Sequence, residues 1–221
     1  MKKIKAYYRR NLPHIQPIGA TFFVTFRLFN SIPYATLKPM KEAYKRRVLQ
    51  IKGEGGPEKN KLLFEERTRY FYEFDDLMDK IKSGPFHLKK PEIAKMVERE
   101  LHRFDGELYD LVCYSIMSNH VHILIDTSIQ IPEGMADEAE AESFGLKPLD
   151  VIMKRIKGPT AVYANRLLGK KGKFWGRESF DRYIRDERDF DNVVNYILLN
   201  PVKAGLVSTW SDWPFSFCKY E

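Results

Sequence analysis

The chain has 221 residues with 43% hydrophobic and 14% aromatic content, which fits one sizeable packed domain and excludes a disordered tail. Its apolar runs fall far short of the roughly 18 residues a membrane-spanning helix needs. The basic opening, Met1 to Arg10, has no apolar segment behind it and argues against secretion, and Cys113 and Cys218 are too few for a disulfide framework. A reduced, cytoplasmic compartment is the expectation. Lys and Arg number 37 against 30 Asp and Glu, a net charge of +7. That excess hints at a polyanionic partner without requiring one.

In chain order, Ala20 to Phe29 reads as a strand, with Phe22, Val24, Phe26 and Leu28 alternating against Thr21, Phe23, Thr25 and Arg27. Residues from about 36 to 104 read as helical, broken at Gly53–Pro57 and Ser83–Pro85. Within them, Ile93, Met96, Val97 and Leu101 share one helix face. Two strand-like runs, Leu108 to Met117 and His120 to Asp126, flank Ser118-Asn119 and predict an antiparallel hairpin. An acidic stretch follows: residues 133–142 hold five acids and no base. Leu149 to Leu168 is helical, with an interruption expected at Gly158-Pro159. A short strand is expected at Arg182 to Arg185. A helix from Asp186 to Asn200 should follow, capped by Asp186 and ended by Pro201. The order β-α-β-β-α-β-α predicts an α+β fold, a ferredoxin-like split-βαβ antiparallel sheet. It is read as a single domain over 1–221, with a helical insertion at about 31–100 and an acidic loop at about 128–146.

Three groups of residues carry chemistry. On a strand, His120 and His122 point the same way with Cα atoms about 6.5–7 Å apart, close enough for both imidazoles to share a divalent cation. An isolated His-x-His also fits two hydrogen-bonded strand histidines. On the last helix, Tyr196 and Asn200 lie one turn apart, flanking the stripe Phe190, Val193, Val194 and Ile197. A phenol can serve as a nucleophile and an amide oxygen as a metal ligand, although the same pair fits the rim of a core helix with Asn200 as its cap. Residues 151–185 carry ten Lys or Arg interleaved with Phe174, Trp175, Phe180 and Tyr183. That pattern suits phosphate contacts with base stacking, or a solvated helix face.

Taken together, Met117-Ser-Asn-His-Val-His-Ile-Leu124 and Asn195-Tyr-Ile-Leu-Leu-Asn-Pro-Val-Lys-Ala-Gly-Leu-Val207 resemble the single-tyrosine HUH transposases, and among them the REP-associated tyrosine transposases. Leu12-Pro-His14 before Phe22-Phe-Val-Thr-Phe-Arg27, Phe174 to Arg185 and Trp210 to Ser216 extend the likeness over nearly the whole chain. Ser118 departs from the family's usual proline, which alters turn stiffness and no ligand.

The resemblance implies His120, His122 and Asn200 as ligands of Mg²⁺ or Mn²⁺, and Tyr196 as the nucleophile on a single-stranded DNA phosphodiester. The product would be a 5′-phosphotyrosine link and a free 3′-OH, at sites beside hairpin DNA. DNA contacts would come from Arg27, Lys154, Arg155, Lys157, Lys170, Lys171, Lys173, Trp175, Arg177, Arg182 and Arg185. The enzyme would be cytoplasmic, nucleoid-associated when bound to DNA, and would work alone or as a homodimer, with no membrane partner. Two rival readings are a hairpin-binding DNA protein that no longer cleaves and a metal-dependent hydrolase that forms no tyrosine adduct.

Overall fold

The computed structural model describes residues 5–9, 13–17, 19–132, 145–177 and 179–220. Leu12, the acidic stretch 133–142 and Glu178 lie outside these residues.

Seven strands and five α-helices are present among the described residues: β1 (Lys5–Arg9), β2 (Pro13–Pro17), β3 (Thr21–Arg27), α1 (Tyr34–Glu54), α2 (Lys59–Lys80), α3 (Pro91–His102), β4 (Asp110–Ile116), β5 (His120–Asp126), α4 (Leu149–Leu167), β6 (Phe180–Tyr183), α5 (Glu187–Lys203) and β7 (Ser216–Cys218). Five strands form one sheet in the order β6-β3-β5-β4-β7, every neighbour antiparallel. The four strands β6-β3-β5-β4 have the split-βαβ order, because β5 inserts between β3 and β4 and lets two chain-parallel strands share a sheet. β1 and β2 form a separate antiparallel hairpin that the sequence pattern did not announce. No helix among the described residues is long and apolar enough to cross a membrane.

The chain divides into two compact units, residues 1–28 with 87–221, and residues 29–86. The helical excursion after β3 therefore closes at residue 86, not near 100. The reason is in α3, whose Ile93, Met96, Val97 and Leu101 pack into the core of the sheet unit. Within residues 29–86, α1 and α2 hold a core of their own from Ile32, Leu37 and Met78. There the buried Glu66 is clamped by Arg47 at 2.6 Å and by Arg69.

In the sheet unit, register decides what each face carries. Val24 opposes Ile123, Phe26 opposes Val121, and Ile123 opposes Tyr114. These residues fill one face beneath α3 and α4, in a core that also takes Ile152, Ile156 and Trp175. The hydrophobic gain there is about 25 cal/mol per Å² of apolar surface removed from water. A bulge between Leu111 and Cys113 shifts the alternation of β4, so that Leu111 and Tyr114 both reach this core. The opposite face carries Phe23, Thr25, Arg27, His120 and His122, and α5 packs against β4 and β5 on that side.

Two predicted helix breaks do not occur. α4 runs unbroken through Pro159 and α5 runs through Pro201 to Lys203. Proline removes one ladder bond, but tertiary packing holds both helices. At the first site Thr160 Oγ1 adds a bond to the Ile156 carbonyl at 2.8 Å. At the second, the Ala204 amide still caps the Asn200 carbonyl at 3.0 Å. The strand expected at 182–185 forms two residues earlier, at Phe180–Tyr183, where four register pairs with β3 are available.

Thr160 also accepts the indole N–H of Trp175 at 2.9 Å in a fully buried setting. Replacing it with Val leaves that donor unsatisfied. Thr160→Val is expected to lower unfolding stability by about 1–3 kcal/mol, with Thr160→Ser close to wild type, as read by urea denaturation.

Candidate metal and nucleophile site

The turn between β4 and β5 aims the histidines. Met117 N–H donates to the His120 carbonyl at 2.9 Å, closing a two-residue connection at Ser118-Asn119 that starts β5 at His120. From there His120 and His122 alternate with Val121 and Ile123, so the apolar pair anchors in the core and both imidazoles project from the other face.

Both rings are buried, and their Nε2 atoms lie 2.9 Å apart. The remaining nitrogens are held from behind. His120 Nδ1 donates to Asn119 Oδ1 at 2.6 Å, and His122 Nδ1 lies 2.7 Å from Thr25 Oγ1. A proton on His120 Nδ1 leaves the lone pair of its neutral ring on Nε2. Fixing one imidazole nitrogen and turning the other toward a common point is how histidine pairs are prepared for a metal. Burial, and the charge of Lys203 behind it, push the His122 pKa down to about 3. The ring is therefore neutral at physiological pH, as ligation requires. Mixed imidazole and amide ligands suit a divalent cation, and the residues present fit one.

α5 brings the other members of the set. Asp186 caps it by accepting the Asp189 amide at 2.8 Å. Arg182 of β6 ties its first turn to the sheet through Asp189 at 2.7 Å, a pair only 8% and 13% exposed. Burial alone would raise the Asp189 carboxyl, yet Arg182 and Arg185 hold it below its ordinary value. So anchored, the helix places the Tyr196 ring edge-on to Phe23 at 5.9 Å and to His122 at 5.8 Å between centroids. Asn200, one turn on, is 1% exposed. Lys203 sets its ammonium 4.6 Å from the centre of the Tyr196 ring.

Of the residues expected from sequence, then, His120, His122 and Tyr196 are brought together, with Asn200 on the same helix. Arg27 lies directly across from His120 in register and bonds the Leu28 carbonyl at 3.3 Å. The remaining basic residues divide. Lys171, Lys173, Arg177 and Arg185 are exposed, and Lys154 is exposed while paired with Asp150 at 2.8 Å. The Arg155 guanidinium lies 5.8 Å from the centre of the Phe104 ring, and Lys170 reaches His87 at 3.4 Å. Lys157 donates to the Gly176 carbonyl and to Ser179 Oγ, each at 3.0 Å. Two residues expected to touch DNA have partners within the fold. Arg182 is committed to Asp189, and Trp175 is 6% exposed with its ring against Phe26 and Phe174.

Thr25, Asn119 and Lys203 escaped the sequence reading. Asn119 adjoins the histidine motif and Lys203 falls seven residues after Tyr196, two turns along the same helix side; both were legible by spacing. Thr25 was not, since it joins His122 only through strand pairing.

Because the unfolded chain takes up a proton on His122 near pH 6.5 and the folded chain not until about 3, stability is intact above 6.5 and falls as acid is added. In chelator, this group should cost the wild type about 2 kcal/mol between pH 6.5 and 5. His122→Gln should show a correspondingly flatter pH dependence in urea titrations.

No protein-family model matches the chain. A curated protein of Haemophilus influenzae named as a REP-associated tyrosine transposase is 30% identical over 108 residues, 49% of this chain and 58% of that protein. The REP-associated tyrosine transposase of Escherichia coli is 45% identical over 42 residues, 19% of this chain and 26% of its own length. The chain thus spans only part of the length of the curated relatives it matches. A solved structure of a REP-associated tyrosine transposase bound to a REP hairpin aligns with 96% of this chain and 81% of its own, at a TM-score of 0.45 and 18% identity.

Proposed function

We propose that this chain, a homologue of REP-associated tyrosine transposases over about half its length, is a metal-dependent enzyme that nicks and rejoins single-stranded DNA through Tyr196. The observation that carries this reading is the meeting, on one sheet face of one chain, of the paired Nε2 atoms of His120 and His122 with the phenol ring of Tyr196. Neither rival reading accounts for it. A hairpin binder that does not cut has no use for the histidine pair, and a hydrolase without an adduct has no use for the tyrosine.

His120, His122 and Asn200 are the proposed metal ligands. A divalent cation held there would polarise the scissile phosphate and offset charge on the departing oxygen. Tyr196 Oη forms the new bond to phosphorus as the bond from phosphorus to the 3′ oxygen breaks. The phenol loses its proton and the 3′ oxygen gains one, leaving a 5′-phosphotyrosine and a free 3′-OH. The link preserves the phosphodiester energy, so a 3′-OH can reverse the step and join strands without ATP. Tyr196 and His122 belong to the same chain, which favours attack in cis. Thr25 and Asn119 keep both imidazoles turned inward during the reaction. Arg27, across from His120, and the exposed Lys171, Lys173, Arg177 and Arg185 are the proposed backbone contacts. The DNA hairpin named with the solved relative is the proposed recognition element.

With labelled hairpin-bearing single-stranded DNA and Mg²⁺ or Mn²⁺, wild type should form an SDS-resistant adduct. EDTA or Tyr196→Phe should abolish it; an adduct that persists in Tyr196→Phe refutes the nucleophile.

Lys203 places its charge beside the phenol, where negative charge passes from tyrosine to phosphate. Lys203→Ala should slow adduct formation about tenfold, and Lys203→Arg should recover most of the rate in single-turnover kinetics.

A further inference from the structure

The edge of the main sheet farthest from β6 holds two thiols that the proposed chemistry does not use. β7, the last strand there, is three residues long and pairs with β4. Its register sets Cys218 directly opposite Cys113, and both cysteines are free. The chain has only these two, and folding brings them from distant parts of the sequence to one strand pair.

Backbone bonding shows what kind of pair they form. Lys219 N–H donates to the Val112 carbonyl at 2.9 Å, and Ile116 N–H donates to the Phe215 carbonyl at 2.9 Å. Hydrogen-bonded pairs alternate along an antiparallel ladder, so Cys113 and Cys218 fall on a non-hydrogen-bonded position between them. At such positions the Cα atoms stand about 4.5 Å apart and the side chains lie closest. The neighbouring pairs bear this out. Ser216 Oγ–H donates to Ser115 Oγ at 3.2 Å, two residues along on the same face. On the other face the rings of Tyr114 and Phe217 stack at 5.5 Å between centroids. A disulfide spans Cα separations of roughly 4.4–6.8 Å, so rotation of the two side chains can close one here. It would sit at the short end of that range, where strain makes the bond easy to reduce.

The two thiols differ in access. Cys113 is buried on the face against which α5 packs, and burial pushes its thiol up, with the Cys218 thiol adding to the rise. Cys218 is only half-buried. An outside reagent therefore meets Cys218 first, and Cys113 is placed to resolve the product.

We infer that Cys113 and Cys218 are a reversible redox pair, closed by a low-molecular-weight disulfide and fastening the edge strand β7 to β4. Cys218 gives up its proton and its sulfur attacks one sulfur of the reagent, breaking that disulfide and releasing one thiol. Cys113 then gives up its proton and attacks the Cys218 sulfur, releasing the second thiol. Two protein thiols are oxidised, one reagent disulfide is reduced to two thiols, and the two protons go to those thiols. Neither cysteine belongs to the proposed metal and nucleophile set, so the pair is tested without DNA.

The experiment incubates the full folded chain with oxidised glutathione. Wild type should lose both thiols to Ellman's reagent, keep no glutathione mass, and yield a proteolytic peptide pair joined through Cys113 and Cys218. An excess of reduced glutathione should restore both thiols. Cys113→Ala should stop at the mixed disulfide and keep one glutathione on Cys218. Cys218→Ala should leave Cys113 at least about tenfold slower to react. In oxidised wild type the β7 backbone should exchange hydrogen about tenfold more slowly than in the reduced chain. Wild type that retains glutathione on Cys218, cross-links between chains or keeps both thiols overturns the proposal. So does a bond that forms in urea but not in the folded chain. Unchanged exchange at β7 in the oxidised chain overturns its role as a fastening.

Discussion

The pairing of β3 with β5 is the constraint on which the site depends. It sets Thr25 opposite His122 and Arg27 opposite His120, and at the same stroke sends Phe22, Val24 and Phe26 into the core with Val121, Ile123 and Ile125. Because strand side chains alternate with a period of two, slipping this register by one residue would turn the histidines into the core and the aliphatic residues out of it. The apolar face thus enforces the polar one. Burial of the aliphatic set makes the slipped alternative costly, and the imidazoles inherit that precision.

A second constraint is the docking of α5, whose start is fixed by polar groups and whose body is buried by apolar ones. Asp186 satisfies an otherwise unpaired amide at the helix start, and the sheltered Arg182–Asp189 pair fixes that start to the edge strand. A charge pair so little exposed is expensive to break, since either partner left alone keeps its desolvation cost. The helix is thereby held at its start. Val193, Ile197 and Leu198 bury its body, and Tyr196 emerges against Phe23 and His122. Leu199 stays on the outward side, as its position in the helical wheel requires.

Electrostatically the site and the basic surface are separate devices. His122 is neutral by burial, with Lys203 nearby reinforcing that state. The exposed cations that follow α4 lie in the segment leading to the edge strand, where flexible, hydrated side chains suit phosphate contact better than the committed Arg182 does. Two aromatic residues of the same segment also serve the fold. Trp175 and Phe174 close the core, and the indole N–H is satisfied by Thr160.

Much of this protein is determined by local pattern. The alternation in β3, the strand-like runs of β4 and β5, the hairpin at Ser118-Asn119, the Asp186 cap and the histidine and tyrosine motifs all depend on neighbours within a few residues, which sequence order preserves. Other features depend on contacts between segments far apart in the chain. Helix continuity through Pro159 and Pro201 reflects tertiary packing overriding a local penalty, and the boundary of the helical excursion at residue 86 follows from where α3 buries its stripe. Which basic residues stay exposed, and that Thr25 sits behind His122, were decided only when β3, β5, β6 and α5 came together. A side chain's partner across a sheet is set by register, and register is a property of the folded chain.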